Sequence, residues 1–176
     1  MTERTLRVGL LGCGNVGAAL IRLLREHGDD IALRAGCRLQ VTRAAVRDAD
    51  RDRGVPLDPG VFTDDGHAVV DDPDIDIVCE LLGGVEPARE LVLRAFANGK
   101  PVVTANKELL ANHGRELFDA QEAAGVDLYF EASVAGGIPL IRPLRESLAG
   151  DRVTRILGVV NGTTNYILTQ MSEHAW

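Results

Sequence analysis

Arg7-Val-Gly-Leu-Leu-Gly12-Cys-Gly14-Asn-Val-Gly17 runs straight into Ala18-Ala-Leu-Ile-Arg-Leu-Leu, and this junction decides the fold. It reads as a short buried strand, a turn and the start of a helix. Glycines stand at the three places where a side chain would obstruct a dinucleotide. Gly12 permits the tight turn out of the strand, Gly14 lets the backbone approach a pyrophosphate, and Gly17 lets the helix lie close on the strand. Cys13, Asn15 and Val16 fill the same turn. A helix N-terminus offers free N–H groups and a positive dipole end to phosphates. The alternative is a glycine-rich turn needed only for tight packing.

Composition agrees with a sheet buried under helices. The chain has 176 residues, 45% hydrophobic but only 4% aromatic, so Val, Leu, Ile and Ala must build its core. Such a core suits parallel strands covered on both faces. With 19 basic against 26 acidic residues the net charge is −7, and no basic stripe stands out, which argues against nucleic-acid binding. No apolar stretch approaches membrane-spanning length, and the N-terminus lacks a signal-peptide pattern. Cys13, Cys37 and Cys79 form neither a zinc pattern nor a disulfide framework. Cys13 and Cys79 read as small buried fillers, and the expected compartment is a reducing cytoplasm.

Strands and helices alternate along the chain. Strands are expected at 6–11, 39–47, 76–84 (ending in Gly83-Gly84), 101–104 and 126–131. Helices are expected at 15–27, 87–98 (Pro87 in the first position, Gly99 as cap) and 107–124, stopped by Gly125. Residues 29–38 read as a loop or extra turn, 48–60 as a charged loop, and the stretch up to Asp76 is poorly defined. This order argues for a doubly wound parallel sheet complete by residue 131. Then come Gly136-Gly137, a helix over 139–148, a strand over 152–160 and a last helix from about Thr163. These begin a second domain that the remaining residues are too few to complete. Trp176 falls inside a helix without a cap, so a longer natural chain is expected.

Four places could carry chemistry. At Val46-Arg47-Asp48 a dinucleotide-binding sheet chooses its cofactor: an acid binds the ribose hydroxyls of NAD, an Arg accommodates the 2′-phosphate of NADP. Both types are present, Arg51 and Arg53 follow, and a guanidinium fork suits a phosphate. The other reading is a solvated charged loop. In Thr104-Ala-Asn106-Lys107-Glu108, Asn106 is a good N-cap. The helix dipole disfavours a cation at Lys107. Lys107 therefore either faces an anion or is a solvated surface residue. Glu131-Ala-Ser-Val134-Ala-Gly136-Gly137-Ile138-Pro139 sets one carboxylate before a turn rich in carbonyls, either an oxygen-only cage for a hard cation or simply a turn. Asn161-Gly-Thr-Thr-Asn165 opens a helix, as an anion-ready N-terminus or merely its cap. His27, His67, His113 and His174 lie at no ligand or triad spacing and receive no catalytic role.

These four segments, in this order, resemble the homoserine dehydrogenase family over nearly the whole chain. The most selective are Thr104-Ala-Asn-Lys107, Glu131-Ala-Ser-Val-Ala-Gly-Gly-Ile-Pro-Leu140 and Asn161-Gly-Thr-Thr-Asn-Tyr-Ile167. The resemblance implies NAD(P)-dependent interconversion of L-homoserine and L-aspartate 4-semialdehyde, on the route to threonine, methionine and isoleucine. It implies a Rossmann NAD(P)-binding domain over 1–131 and the truncated start of an α+β catalytic domain over 132–176. Gly12, Cys13, Gly14, Asn15, Val16 and Gly17 would hold the pyrophosphate, and Arg47 would meet the 2′-phosphate. Lys107 would lie beside nicotinamide and substrate. Glu131 with the carbonyls of Val134, Gly136 and Ile138 would match a sodium site, and Gly162 and Thr163 would line the substrate pocket. Apolar faces left uncovered by the shortened chain favour self-association, so a homo-oligomer, a dimer or larger, is expected.

The family's substrate-gripping acids and its Lys–Asp pair near the transferred hydride would lie beyond Trp176. The resemblance therefore implies an incomplete catalyst as the chain stands. Two other classes are weighed beside it. A semialdehyde dehydrogenase would need a nucleophilic Cys with a base, and no cysteine here occupies a plausible second-domain position. A non-catalytic NAD(P)-sensing domain would be favoured if the natural chain ended near residue 176.

Overall fold

The computed structural model describes residues 4–55, 57–158 and 161–174. Two compact units divide between Val134 and Ala135.

The first unit is built on a six-stranded, wholly parallel sheet: β1 (Thr5–Leu11), β2 (Arg38–Ala45), β3 (Phe62–Thr63), β4 (Ile77–Glu80), β5 (Val102–Thr104) and β6 (Leu128–Tyr129). Their order across the sheet is β3-β2-β1-β4-β5-β6. The chain thus starts in the middle, winds to one edge, returns and winds to the other. The doubly wound expectation is met, and the switch point falls between β1 and β4.

Alternation along each strand sorts side chains to two faces. Leu11, Ala45, Val78, Val102 and Leu128 point to one face, into a core closed by α3 (His67–Val70), α4 (Ala88–Ala97) and α5 (Lys107–Ala124). Phe96 of α4 and Leu109 and Leu117 of α5 are sealed there. Val8, Leu10, Val41 and Ala44 point to the other face, against Ala18 and Ile21 of α1 (Asn15–Glu26). That second layer stops short: Val103 and Tyr129, on the same face of β5 and β6, are exposed.

Several elements differ from the sequence expectation. Residues 29–38 are mostly helical, as α2 (Gly28–Ala35), with Asp29 and Asp30 in its first turn and Arg34 in its last. Those charges complement the helix dipole, a signal too short to stand out against the polar surroundings. The ill-defined stretch after Gly60 holds β3 and α3, of two and four residues. Strand β2 ends at Ala45, so Arg47 lies beyond the strand. Pro87 stands one residue before the first helical position of α4, after a cis peptide bond from Glu86. The expected cap at Gly99 forms a closing turn: Gly99 N–H donates to Phe96 O and Lys100 N–H to Ala95 O. Strand β6 stops at Tyr129, and Glu131–Ser133 is a 3-10 turn.

Among its described residues the second unit has two helical segments and no strand. The helix expected over 139–148 begins at Ile141 and widens into a π-turn at Pro143–Ser147, where Leu148 N–H reaches back five residues to Pro143 O at 2.9 Å. Pro143 stands in the first turn, where the missing N–H breaks no helical bond. The strand expected over 152–160 does not form over 152–158, and residues 159 and 160 lie outside the described residues. A strand exists only through hydrogen bonds to a neighbour, and these residues have none among the described ones. The last helix, α6 (Gly162–His174), begins as expected, capped by Asn161, whose side-chain oxygen accepts Thr164 N–H at 2.9 Å.

Candidate cofactor site

A cleft of about 810 Å³ opens at the carboxyl end of β1. Its floor is the turn Gly12-Cys13-Gly14-Asn15 with Ala18. One wall is Val46-Arg47-Asp48 with Arg51, Asp52 and Arg53, the other is Leu81-Leu82 after β4. The cleft therefore straddles the switch point, where open α/β sheets bind ligands.

Each glycine has a different physical reason. Gly12 has φ +98°, and a Cβ there would stand 2.7 Å from Leu81 O. A Cβ on Gly17 would meet Gly12 O at 2.7 Å, so α1 can lie on the turn only if residue 17 has no side chain. No atom stands within 4 Å of where a Cβ on Gly14 would be, so no protein contact demands this glycine. Helix α1 has no side-chain cap and no acid in its first turn. Its first N–H groups are thus free of the usual carboxylate or hydroxyl partner.

The Arg47 wall is preorganised around Asp48. Asp48 Oδ1 accepts the N–H groups of Asp50 and Arg51, at 3.1 and 3.2 Å, and its carbonyl accepts Arg53 Nη2 at 2.5 Å. Arg53 also donates to Arg51 O and lies over the Phe62 ring, 5.2 Å from the centroid. Asp48 and Arg53 therefore shape the loop. Arg47 is exposed, lines the cleft and has no hydrogen bond or ion pair among the described residues. Burial pushes the Cys13 thiol up, with Arg53 and Arg22 opposing, and pushes Cys79 up to about 11. Neither is a ready thiolate nucleophile.

Lys107 is the first residue of α5, exposed and outside the cleft lining. Of the 19 basic residues only two are lysines, and Lys100 is buried, donating to Asp72 O and Ile75 O at 2.8 and 2.9 Å. Val16 (60% exposed) lies in the first turn of α1, also outside the lining. Glu131 and Val134 belong to the first unit, where Ser133 Oγ donates to Thr104 O at 2.8 Å. Gly136 and Ile138 belong to the second, in a turn where Ala135 and Gly136 have φ of 60° and 62°. Gly162 and Thr163 open α6 and are exposed.

Sequence reasoning missed Leu81 and Leu82 as cleft residues, and it missed Glu80. Glu80 ends β4 with 0% exposure and its carboxylate ties the turn after β4 to the β5–α5 junction, through Leu82, Thr104 and Asn106. The available signal was one acid inside the apolar run Ile77-Val-Cys-Glu80-Leu-Leu.

The family model "Homoserine dehydrogenase, NAD binding domain" matches residues 12–131, and the model "Homoserine dehydrogenase" matches 139–176. A homoserine dehydrogenase of Mycobacterium tuberculosis is 52% identical over 171 residues, 97% of this chain and 38% of the relative. The crystal structure of a homoserine dehydrogenase from Thiobacillus denitrificans superposes with TM-score 0.90 at 50% identity, over 99% of this chain and 40% of that one. A hyperthermophilic archaeal homoserine dehydrogenase in complex with NADPH superposes with TM-score 0.80 at 30% identity, over 96% and 57%. The chain thus spans about two fifths of the curated relative's length. From its glycine turn to its last helix, the chain belongs to the homoserine dehydrogenase family.

Proposed function

We propose that this chain is the dinucleotide-binding domain (1–131) and the start of the catalytic domain (132–176) of an enzyme that interconverts L-homoserine and L-aspartate 4-semialdehyde. The observation that carries the reading is the switch-point cleft, with an uncapped helix on one side and an unpaired guanidinium on the other. The residues fit a dinucleotide phosphate for a physical reason. Oriented N–H groups and a helix dipole favour negative charge without a counter-ion. The NADPH complex of the archaeal relative supports the same cofactor class.

The Gly12–Gly17 turn would hold the pyrophosphate and Arg47 the 2′-phosphate, so NADP is favoured over NAD. The cofactor, when bound, supplies or accepts the hydride. Lys107 would stand on the nicotinamide and substrate side, where its ammonium would hold the substrate's negative end. Gly162 and Thr163 would line the substrate pocket. Glu131 and the carbonyls of Val134, Gly136 and Ile138 would supply oxygen donors, the ligand type that sodium takes. We place the protein in the cytoplasm, in threonine, methionine and isoleucine biosynthesis. A homodimer is our reading, supported by the exposed Val103 and Tyr129 on an uncovered sheet face.

Titration with NADPH and NADH, followed by an assay for homoserine-dependent NADPH formation, tests this. The 176-residue chain is expected to bind NADPH and to turn nothing over, while a chain of the relatives' full length oxidises homoserine. Binding of neither nucleotide overturns the cofactor reading, and a full-length chain inert toward homoserine overturns the substrate.

A further inference from the structure

Glu80 is an unusual residue for the heart of a parallel sheet. Its carboxylate is fully buried, no cation pairs with it among the described residues, and its hydrogen bonds join the turn after β4 to the β5–α5 junction through three residues. Oε1 accepts Leu82 N–H at 2.8 Å, in the wall of the cleft, and Asn106 Nδ2 at 3.4 Å. Oε2 accepts the Thr104 hydroxyl at 2.5 Å. Thr104 Oγ1 in turn accepts Asn106 N–H at 3.0 Å. Asn106 then donates to Gly84 O at 2.7 Å and caps α5 by accepting Leu109 N–H at 3.0 Å. Lys107 follows directly.

Burying a carboxylate is unfavourable unless its oxygens are satisfied, and an apolar or amide residue could hold a loop at less cost. What a carboxylate adds is polarity of one kind: both oxygens only accept. Thr104 must therefore point its hydrogen at Glu80 and its lone pairs at Asn106 N–H. Leu82 must turn its N–H inward. A fully satisfied buried network of this sort selects one arrangement of the segments it joins.

We propose that Glu80 is a positioning residue for Lys107. It acts through Thr104 and Asn106, and it couples the first turn of α5 to the Leu81–Leu82 wall of the cofactor cleft. The proposal rests on the reading of Lys107 as a group on the nicotinamide side.

The lysine count makes the test direct. Lysine labelled with 13C at Cε gives two signals, from Lys100 and Lys107, assigned with Lys107→Arg. In the wild-type chain, NADPH is expected to shift the Lys107 signal and leave Lys100 in place. In Glu80→Gln one acceptor oxygen becomes a donor, so either the Thr104 hydroxyl or the Leu82 N–H loses its acceptor. At saturating NADPH the Lys107 shift should then fall by more than half. Thr104→Val should reproduce that loss even if Glu80→Gln does not fold, and Thr104→Ser, which keeps the hydroxyl, should restore the shift. A full Lys107 shift in Glu80→Gln or Thr104→Val overturns the proposal alone. No Lys107 shift in the wild type, with NADPH bound, overturns the placement of Lys107 and the proposal with it.

Discussion

The carbonyl oxygen of Gly12 stands 2.7 Å from the point that a Cβ on Gly17 would occupy. This contact sets how closely α1 lies on the end of β1, and with it the depth of the cleft. Alanine in a helix gains about 1 kcal/mol over glycine. Overpacking against a rigid backbone costs about 1–3 kcal/mol. Gly17→Ala should therefore lower the melting temperature and weaken NADPH binding together. Gly14→Ala meets no protein atom, so its stability loss should stay below about 1 kcal/mol, the size of an N-cap effect. Its NADPH affinity should nevertheless drop more than tenfold. Wild-type affinity in Gly14→Ala would mean that nothing lies over the turn.

Arg47 should set cofactor preference. Charge-assisted hydrogen bonds to a phosphate contribute about 1.5–3 kcal/mol, roughly ten- to a hundredfold in affinity. Arg47→Ala should lose that factor for NADPH and leave NADH almost unchanged by fluorescence titration. Equal losses for both would return Arg47 to the solvated loop.

Lys107→Ala should not destabilise the chain. Removing a cation from a helix N-terminus should leave stability level or raise it by a few tenths of a kcal/mol. Assayed in a chain of the relatives' full length, the same change should cut kcat/KM more than tenfold. Unchanged turnover would make Lys107 a surface residue.

The turn after Glu131 should respond to sodium. At matched ionic strength, sodium should raise the melting temperature of wild type more than that of Glu131→Gln, and a large organic cation should not. If every salt acts alike on both proteins, the segment is only a turn.

Two ion pairs predict the acid limb. Hydrogen bonds from Arg94 hold the Asp71 carboxyl below its ordinary range, and hydrogen bonds from Arg89 do the same for Glu116, tying α4 to α5. A carboxylate depressed in the folded state contributes stability above its unfolded pKa, here 3.8 and 4.5, and loses it as pH falls through the folded value. The stability gap between wild type and Asp71→Asn should thus be full at neutral pH and close below about pH 4. A gap independent of pH would exclude the ionised pair as its source. The Asp71–Arg94 pair is solvent-exposed, so added salt should shrink the gap.

Local pattern determined a great deal from the chain alone. The glycine turn, the amphipathic α1 and α5, the Asn106 cap and the Gly125 stop depend on neighbours within a few residues, and those neighbours are printed in order. The place of Arg47 beside the glycine turn was legible from the strand that precedes it. Tertiary structure alone decided the rest. β3, two residues long, exists because β2 offers it hydrogen bonds, and residues 152–158 remain irregular where no partner is described. Glu80 is the clearest case. In sequence it is one acid among apolar residues. It becomes a hub only when parallel pairing of β4 and β5 brings Thr104 opposite it and the β5–α5 turn brings Asn106 to its oxygens. A hydrogen-bond acceptor is defined by what converges on it in space, and residues separated by more than twenty positions carry no local mark of that convergence.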